Sequence, residues 1–280
     1  MAFPLSAFAD EISPDLDVQI ATLKRLDVPG LDLRSVRGKN VLNLTDAELD
    51  EVAEQCAANG LHVQAIGSPV NKVSFSASNQ QAELKKLERA IHAAKRVGTT
   101  AIRIFSPEVP KEDYANAWLA VEAWMAEQVF HAEGAGITLL HENDARYYGA
   151  FPEGAERLFD RFGGPSFRAA FDFANTVLIG FSPMKDWFPW LLPHLHSLHI
   201  KDAIAAENRV VPAGEGDGEI LKTMKWLIGQ GWSGPLTIEP HLASAGQGTV
   251  PEYVPRPRSI LVQERRLGEV SPVQVRREAR

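Results

Sequence analysis

The feature that most constrains this chain is a repeated alternation of short apolar runs with longer amphipathic segments. Eight such pairs follow one another at a spacing of about 30 residues, and a glycine or proline follows each amphipathic segment shortly before the next run. This alternation predicts a parallel sheet, and eight units predict a closed (β/α)8 barrel. The alternative is an open doubly wound sheet, which favours a glycine fingerprint after the first strand. The segment Ala9-Asp10-Glu11-Ile12-Ser13 contains none.

Local signals place several helix boundaries. Thr45-Asp46-Ala47-Glu48 is a capping box that opens a helix, and Asn59-Gly60 ends it. Gly98 ends the next predicted helix. The glycine-rich stretch at 214–218 is too short for a phosphate-binding loop and lacks the lysine that such a loop needs. We expect a tight turn there, in which Asp217 caps the following helix.

Four apolar runs, the first of which begins at residue 137, carry an acid or a histidine at their carboxyl end or one position before it. The runs are 137–142, 167–172, 195–200 and 236–239, and the residues are Glu142, Asp172, His199 and Glu239. These residues recur 30, 27 and 40 positions apart, which is the spacing of successive strand–helix units. The carboxyl ends of barrel strands meet at one rim, where the active sites of this fold lie. Three carboxylates and an imidazole suit one divalent cation such as Mn²⁺, Mg²⁺, Co²⁺ or Zn²⁺.

The period of two along each strand sharpens this prediction. Ser197, His199 and Lys201 share one face of their run, whereas Leu198 and Ile200 share the other. The polar face of a barrel strand should point into the lumen and the apolar face toward the helices. All four candidate ligands therefore have lumen parity. His141 and His196 have the opposite parity and are predicted to be structural.

Composition narrows the classes of partner. The chain has 280 residues, 45% of them hydrophobic, which suffices for a barrel with a large core. The formal charge of −7 argues against a nucleic-acid surface, which needs a basic face. A single cysteine excludes an internal disulfide. We see no secretory signal and no transmembrane span, so we expect a cytoplasmic protein without a membrane partner.

The composition changes near residue 246. Residues 251–280 hold seven arginines, four prolines and no lysine. We therefore divide the chain into a barrel at 1–245 and an irregular C-terminal extension, or incomplete last helix, at 246–280.

Several stretches, taken together, resemble a known family. They are Asp10-Glu11-Ile12-Ser13, Ser68-Pro69 followed by Lys72, His199-Ile200-Lys201-Asp202, Gly214-Glu215-Gly216-Asp217 and Gly234-Pro235-Leu236-Thr237-Ile238-Glu239. In this order and spacing they resemble the xylose isomerase-like TIM barrels, usually called sugar phosphate isomerases/epimerases. The likeness covers roughly residues 5–242.

The resemblance implies roles for the four strand-end residues. In this family a Glu, Asp, His, Glu set binds one divalent metal ion, and the set maps onto Glu142, Asp172, His199 and Glu239. In the family's ketose 3-epimerases the two glutamates also move the substrate proton. The chain departs from those epimerases in having Asn175 in place of a histidine and Ala205 in place of an arginine. Arg209 from a longer loop is a candidate substitute for that arginine.

These features lead to one main functional expectation and three alternatives. We expect a metal-dependent sugar or sugar-phosphate isomerase or epimerase in which Glu142 and Glu239 transfer a proton next to a carbonyl. Lys201 is a third candidate catalytic residue, since it could polarise that carbonyl. The alternatives are an inosose dehydratase-like lyase, a barrel that binds metal or sugar without turnover, and a DNA-repair nuclease resembling endonuclease IV. The nuclease needs several more inward histidines than this sequence supplies.

Four further residues are candidates for substrate binding. Arg34 and Lys72 follow predicted strands and could bind a phosphate or carboxylate. Glu11 could bind a substrate hydroxyl, and Asn175 occupies the position of the epimerase histidine. The expected partner is a small sugar or polyol, and the sequence leaves a homodimer open.

Overall fold

Eight parallel strands close into a barrel in the computed structural model, which describes residues 3–241. In chain order the strands are β1 (Leu5–Ala7), β2 (Gly30–Leu33), β3 (His62–Gly67), β4 (Ala101–Ile104), β5 (Thr138–Glu142), β6 (Phe167–Asp172), β7 (Leu195–Ile200) and β8 (Leu236–Ile238). β1 closes the barrel by pairing with both β2 and β8. The predicted (β/α)8 barrel is therefore confirmed.

Helices follow the strands around the outside of the barrel. They are α1 (Leu16–Arg25), α2 (Asp46–Ala58), α3 (Ala77–Val97), α4 (Tyr114–Ala135), α5 (Pro152–Phe162), α6 (Phe173–Leu178), α7 (Phe188–Leu191) and α8 (Ile220–Gly229). The segment between β6 and β7 is broken, because a π-helical turn at Pro183–Trp187 separates α6 from α7. Two short hairpins extend from the carboxyl ends of β2 and β7: Ser35–Val36 with Lys39–Asn40, and Asp202–Ile204 with Arg209–Val211.

Three of the predicted helix boundaries are correct and one is wrong. The Thr45–Glu48 capping box opens α2 reciprocally, Asn59 is the C-cap of the same helix, and Gly98 ends α3 in the left-handed region at φ 79°. Asp217 does not cap α8. Its Oδ2 atom accepts a hydrogen bond from the Ala205 backbone N–H at 2.8 Å, and Glu219 in the left-handed region precedes the helix. The Asp217 carboxylate, which the local sequence predicted as a helix cap, thus binds to the hairpin after β7 instead.

A small apolar cluster lies apart from the main core. Ala65, Ala101, Leu140 and Ala170 form a separate buried apolar cluster. The main hydrophobic core lies instead between the strands and the surrounding helices. Leu140 and Ala170 share strand parity with the candidate ligands two residues later, so the predicted lumen parity agrees with this packing.

The predicted division of the chain into two parts falls outside the described residues. Both the extension at 246–280 and the boundary at 245 lie beyond residue 241.

The structure also bears on the expected absence of a membrane span. Among residues 3–241, no helix combines the length and the apolar character that crossing a bilayer requires.

Candidate metal centre

The carboxyl ends of β5 to β8 bring the four predicted ligands into one cluster. Glu142, Asp172 and His199 lie within or at the end of their strands, and Glu239 directly follows β8. Each offers one ligand-type atom, and these atoms all lie within 4.8 Å of one another. None of the four residues is more than 3% exposed. The cluster is thus a buried acidic site with one imidazole, and it could hold a metal ion.

Strand register explains why residues so distant in sequence meet. Asp172 and His199 are direct partners across the β6–β7 pairing. On the other side, His199 pairs with Thr237, two positions before Glu239. Because side chains alternate along a strand, Thr237 and Glu239 point to the same side of the sheet.

His199 lies between two carboxylates. Its Nδ1 atom is 3.1 Å from Glu239 Oε2 and 3.5 Å from Glu142 Oε2. Burial acts to lower the pKa of His199, but the two glutamates outweigh it and raise that pKa to about 10. The site therefore favours a positive charge at this position.

Lys201 pairs with the third carboxylate. Its Nζ atom lies 2.7 Å from Asp172 Oδ2, and both side chains are buried. Burial raises the pKa of Asp172 to about 6, although Lys201 acts against this rise. The other oxygen of Asp172 accepts a hydrogen bond from the Asn175 backbone N–H at 2.8 Å. Asp172 thereby also caps the N-terminus of α6.

Neighbouring cations keep both glutamates ionised. Burial alone would raise the pKa of Glu142, but Arg103 and His199 outweigh it and lower the pKa to about 2. Glu239 behaves similarly, since Lys201 and His199 hold its pKa well below the ordinary value despite burial. Both side chains are therefore available at neutral pH as ligands or as proton acceptors.

Arg103 is a site residue that the sequence reasoning missed. It lies in β4 and is buried, and its Nη1 atom donates to Glu142 Oε2 at 3.0 Å. Its Nη2 atom lies 3.3 Å from the carbonyl oxygens of Gly67 and Ser68. The available signal was an arginine at lumen parity in the otherwise apolar strand Ala101–Ile104.

Arg34 connects the second glutamate to the loop after β1. It donates to Glu239 Oε1 at 3.1 Å, to Asp10 Oδ2 at 2.8 Å and to Glu11 Oε1 at 3.3 Å. Glu11 also contacts His241, whose Nε2 atom is 3.1 Å from Glu11 Oε1 and whose backbone N–H donates to Glu11 Oε2 at 2.9 Å. Glu11 therefore contacts Arg34 and His241, and both of those residues also contact Glu239.

A cleft of about 340 Å³ opens above the cluster. It is lined by Arg34, Asn40, Gly67, Pro69, Lys72, Arg103, Glu142, Asp144, Asn175, Lys201, Glu239 and His241. Three of the four predicted substrate-binding residues line the cleft, and Glu11 does not. Asn175 Nδ2 donates to Glu142 Oε1 at 3.3 Å, and Lys72 Nζ lies 2.8 Å from Asp144 Oδ2. Asp144 is a second residue that the sequence reasoning missed.

Three other residues weighed from the sequence lie outside the cleft lining. His141 contacts Ser106 Oγ at 3.2 Å, and burial lowers its pKa to about 4. Burial also lowers the pKa of His196. Both histidines have the structural character predicted for them. Arg209 pairs with Glu207 in the hairpin after β7 and is not among the described residues that line the cleft.

The donor set suits a divalent cation. Asp172 Oδ2, His199 Nδ1 and Glu239 Oε2 are buried and make ion-pair contacts but no hydrogen bond within the described part of the chain. Three carboxylates this close repel one another unless a cation neutralises them. Oxygen-rich sites with one imidazole are typical of Mg²⁺, Mn²⁺, Co²⁺ and Zn²⁺.

Comparison with known proteins places this geometry in context. The sequence profile of a family described as xylose isomerase-like TIM barrel matches residues 20–258. No curated protein sequence matches the chain.

Three solved structures share the fold. A D-tagatose 3-epimerase-like protein superposes with a TM-score of 0.77 at 14% identity, over 94% of this chain and 97% of that one. A probable 3-DHS dehydratase of Bacillus anthracis, involved in petrobactin synthesis, gives 0.71 at 16% identity over 85% and 92%. A xylose isomerase-like TIM barrel protein of Mycobacterium smegmatis, in complex with magnesium, gives 0.64 at 16% identity over 85% and 90%. At these identities the likeness shows the fold alone.

Proposed function

This chain belongs to the xylose isomerase-like TIM barrel family, and from that premise we propose that it is a divalent-metal-dependent isomerase or epimerase. Its substrate is a small sugar or another polyhydroxylated carbonyl compound. The observation that carries the proposal is a pair of buried, ionised glutamates on either side of one histidine, in a cluster suited to a cation. The structural likeness to a D-tagatose 3-epimerase-like protein supports the same reaction class.

Four residues would hold the metal: Glu142, Asp172, His199 and Glu239. A bound divalent ion supplies Lewis acidity, which polarises adjacent substrate oxygens and acidifies the C–H bond between them. Mg²⁺ is the first candidate, because three of the four donors are carboxylates and the Mycobacterium smegmatis relative is in complex with magnesium. Mn²⁺, Co²⁺ and Zn²⁺ are the other candidates.

The two glutamates would transfer the proton. They reach the centre from β5 and from the end of β8, with β6 and β7 between those strands. They can therefore approach a substrate carbon from different directions. In an epimerisation or isomerisation, one carboxylate removes the proton next to the carbonyl and an enediolate forms; the other carboxylate, or the same one, returns a proton.

Cationic and amide groups would stabilise and orient the substrate. Lys201 lies beside the cluster and could stabilise the negative charge that develops on the carbonyl oxygen. Arg34, Lys72 and Asn175 line the cleft and could contact substrate hydroxyls. Glu11 would act indirectly, since its carboxylate contacts Arg34 and His241.

A lyase is the second candidate. Dehydration of a β-hydroxy carbonyl compound begins with the same proton removal and continues with loss of hydroxide. The likeness to a probable 3-DHS dehydratase favours this alternative over unrelated chemistries.

Solvent isotope exchange tests the proposal. The protein is incubated in D₂O with saturating Mg²⁺, Mn²⁺, Co²⁺ or Zn²⁺ and a panel of ketoses, aldoses and inositol-derived ketones, and products are followed by NMR. Deuterium uptake without loss of water supports an isomerase or epimerase, whereas loss of water supports the lyase. If no substrate of the panel exchanges its proton with any metal, the result contradicts the proposal and favours a barrel that binds metal or sugar without turnover.

Paired variants test whether the proton exchange depends on the two glutamates of the candidate metal centre. Glu142→Gln or Glu239→Gln should slow the exchange by about 10²–10⁴-fold, because each removes a proton acceptor. Glu54→Gln makes the same change on the exposed face of α2 and should leave the exchange intact.

A further inference from the structure

The cations that line the cleft share one property within the described residues: each is paired with a carboxylate. The pairs are Arg34 with Asp10, Glu11 and Glu239, Lys72 with Asp144, Arg103 with Glu142, and Lys201 with Asp172. A phosphate or carboxylate on a substrate would therefore meet a cation that a protein carboxylate already neutralises.

The pair between Lys72 and Asp144 differs from the pairs around the metal centre. Among the described residues, two groups could hold a metal ion: Glu142, Asp172, His199 and Glu239, and a second group of Glu11, Glu239 and His241. Asp144 belongs to neither, so metal binding would not take its carboxylate away from the lysine. The pair is also more accessible, because the Lys72 side chain is 37% exposed and that of Asp144 is 24% exposed. Both residues line the cleft, and their greater exposure places the pair on its solvent side.

Both partners are held in place independently of each other. Lys72 Nζ lies 4.2 Å from the centroid of the Phe105 ring, which attracts its charge. The second oxygen of Asp144 accepts a hydrogen bond from the Ala145 backbone N–H at 2.7 Å. Loss of one charge should therefore leave the other group near its present position.

We propose that Asp144 determines specificity by making the outer cleft select an uncharged, hydroxyl-bearing substrate over a phosphorylated one. A hydroxyl group both donates and accepts, so it can bond to the ammonium and the carboxylate together. A phosphate presents mainly hydrogen-bond acceptors, and its negative charge is repelled by the carboxylate of Asp144. This repulsion disfavours binding of a phosphorylated substrate. The inference rests on the proposed function and deepens it by naming the substrate class: a neutral sugar or polyol.

The test uses inorganic phosphate as the probe and calorimetry as the assay, on the full-length protein. Asp144→Asn keeps the shape of the side chain and removes its charge. It should strengthen phosphate binding at least about fivefold, since a unit charge next to the anion is removed. Adding Lys72→Met to that variant should cancel the gain, which locates the phosphate at the lysine rather than at a metal ion.

A matched control removes the carboxylate partner of a cation that lies outside the cleft. Glu51→Gln makes the same charge change but releases Arg37 from an exposed ion pair outside the cleft. It should not strengthen phosphate binding. Equal gains in Glu51→Gln and Asp144→Asn would mean that only net charge matters and would overturn the proposal.

The remaining outcomes also decide the question. Wild-type protein that binds phosphate as tightly as Asp144→Asn, with loss of that binding in Lys72→Met, would show an anion site and overturn the proposal. Circular dichroism checks that Asp144→Asn is folded, and Asp144→Ser provides the same test if it is not. Binding is measured without turnover, so failure here is distinct from failure of the proposed reaction, which appears as absence of proton exchange.

Discussion

Replacement of Arg103 by methionine tests whether the centre is organised by charge balance. The guanidinium is buried, donates to Glu142 at 3.0 Å and contacts two backbone carbonyls at 3.3 Å. Methionine fills much of the same space but supplies no donor. The change therefore leaves a buried carboxylate with His199 as its remaining cationic neighbour at 3.5 Å.

The magnitude follows from this geometry. Removing one partner of a buried ion pair typically costs about 3–5 kcal/mol, and the remaining histidine contact places the cost near the lower end, at about 3 kcal/mol. For a domain of this size, such a loss lowers the thermal midpoint by roughly 6–12 °C. Mg²⁺ should stabilise the variant more than the wild type, because the ion neutralises the carboxylate that lost its partner.

Thermal unfolding of both proteins, with and without Mg²⁺, provides the measurement. The control is Arg161→Met, which removes an exposed ion pair with Glu122 on the outer helices and should leave the midpoint nearly unchanged. A midpoint of Arg103→Met within about one degree of the wild type would refute the argument. So would a metal-dependent stabilisation that is no larger in the variant than in the wild type.

Two further predictions concern the proton carriers and the loop after β7. Glu142→Gln and Glu239→Gln should each reduce turnover by about 10²–10⁴-fold, even at saturating metal. Excess metal should restore the turnover of Asp172→Asn more fully than that of either glutamate variant. Equal rescue of all three variants in steady-state assays would mean that the glutamates only bind metal. Gly216→Ala should destabilise the protein in a denaturant titration, because an added Cβ would lie 2.4 Å from a backbone carbonyl oxygen, while Gly229→Ala meets nothing within 4 Å and should be tolerated. Equal midpoints for the two glycine variants would show that the loop after β7 tolerates a shift of its backbone.

The structure adds a complication to the aspartate variant that the sequence did not reveal. Asp172→Asn also leaves the buried ammonium of Lys201 without its carboxylate at 2.7 Å. Part of any loss in that variant therefore reflects an unpaired charge. Its thermal midpoint should be measured beside its metal affinity, so that the two effects are separated.

Local sequence was sufficient for the barrel and for the position of the candidate centre. Strand–helix alternation and turn residues are encoded over short stretches, and β5 to β8 lie where the four apolar runs that carry the candidate ligands predicted them. Side-chain parity depends only on position within a strand, so it assigned Glu142, Asp172, His199 and Glu239 to the lumen side before any contact was known. Parallel strands then bring their carboxyl ends together, with Glu239 directly after β8.

Only the tertiary structure decided which charges meet. Arg103 lies 39 positions from Glu142, and Arg34 lies 205 positions from Glu239. Such pairs depend on how strands and loops from different units are placed around the barrel, which no local pattern encodes. For the same reason the sequence could not show that Glu11 contacts Arg34. Nor could it show that Asp144 neutralises Lys72 in the lining of the cleft. Local periodicity determined the scaffold and the direction of each side chain, whereas the electrostatics of the site depend on contacts that exist only once the barrel has closed.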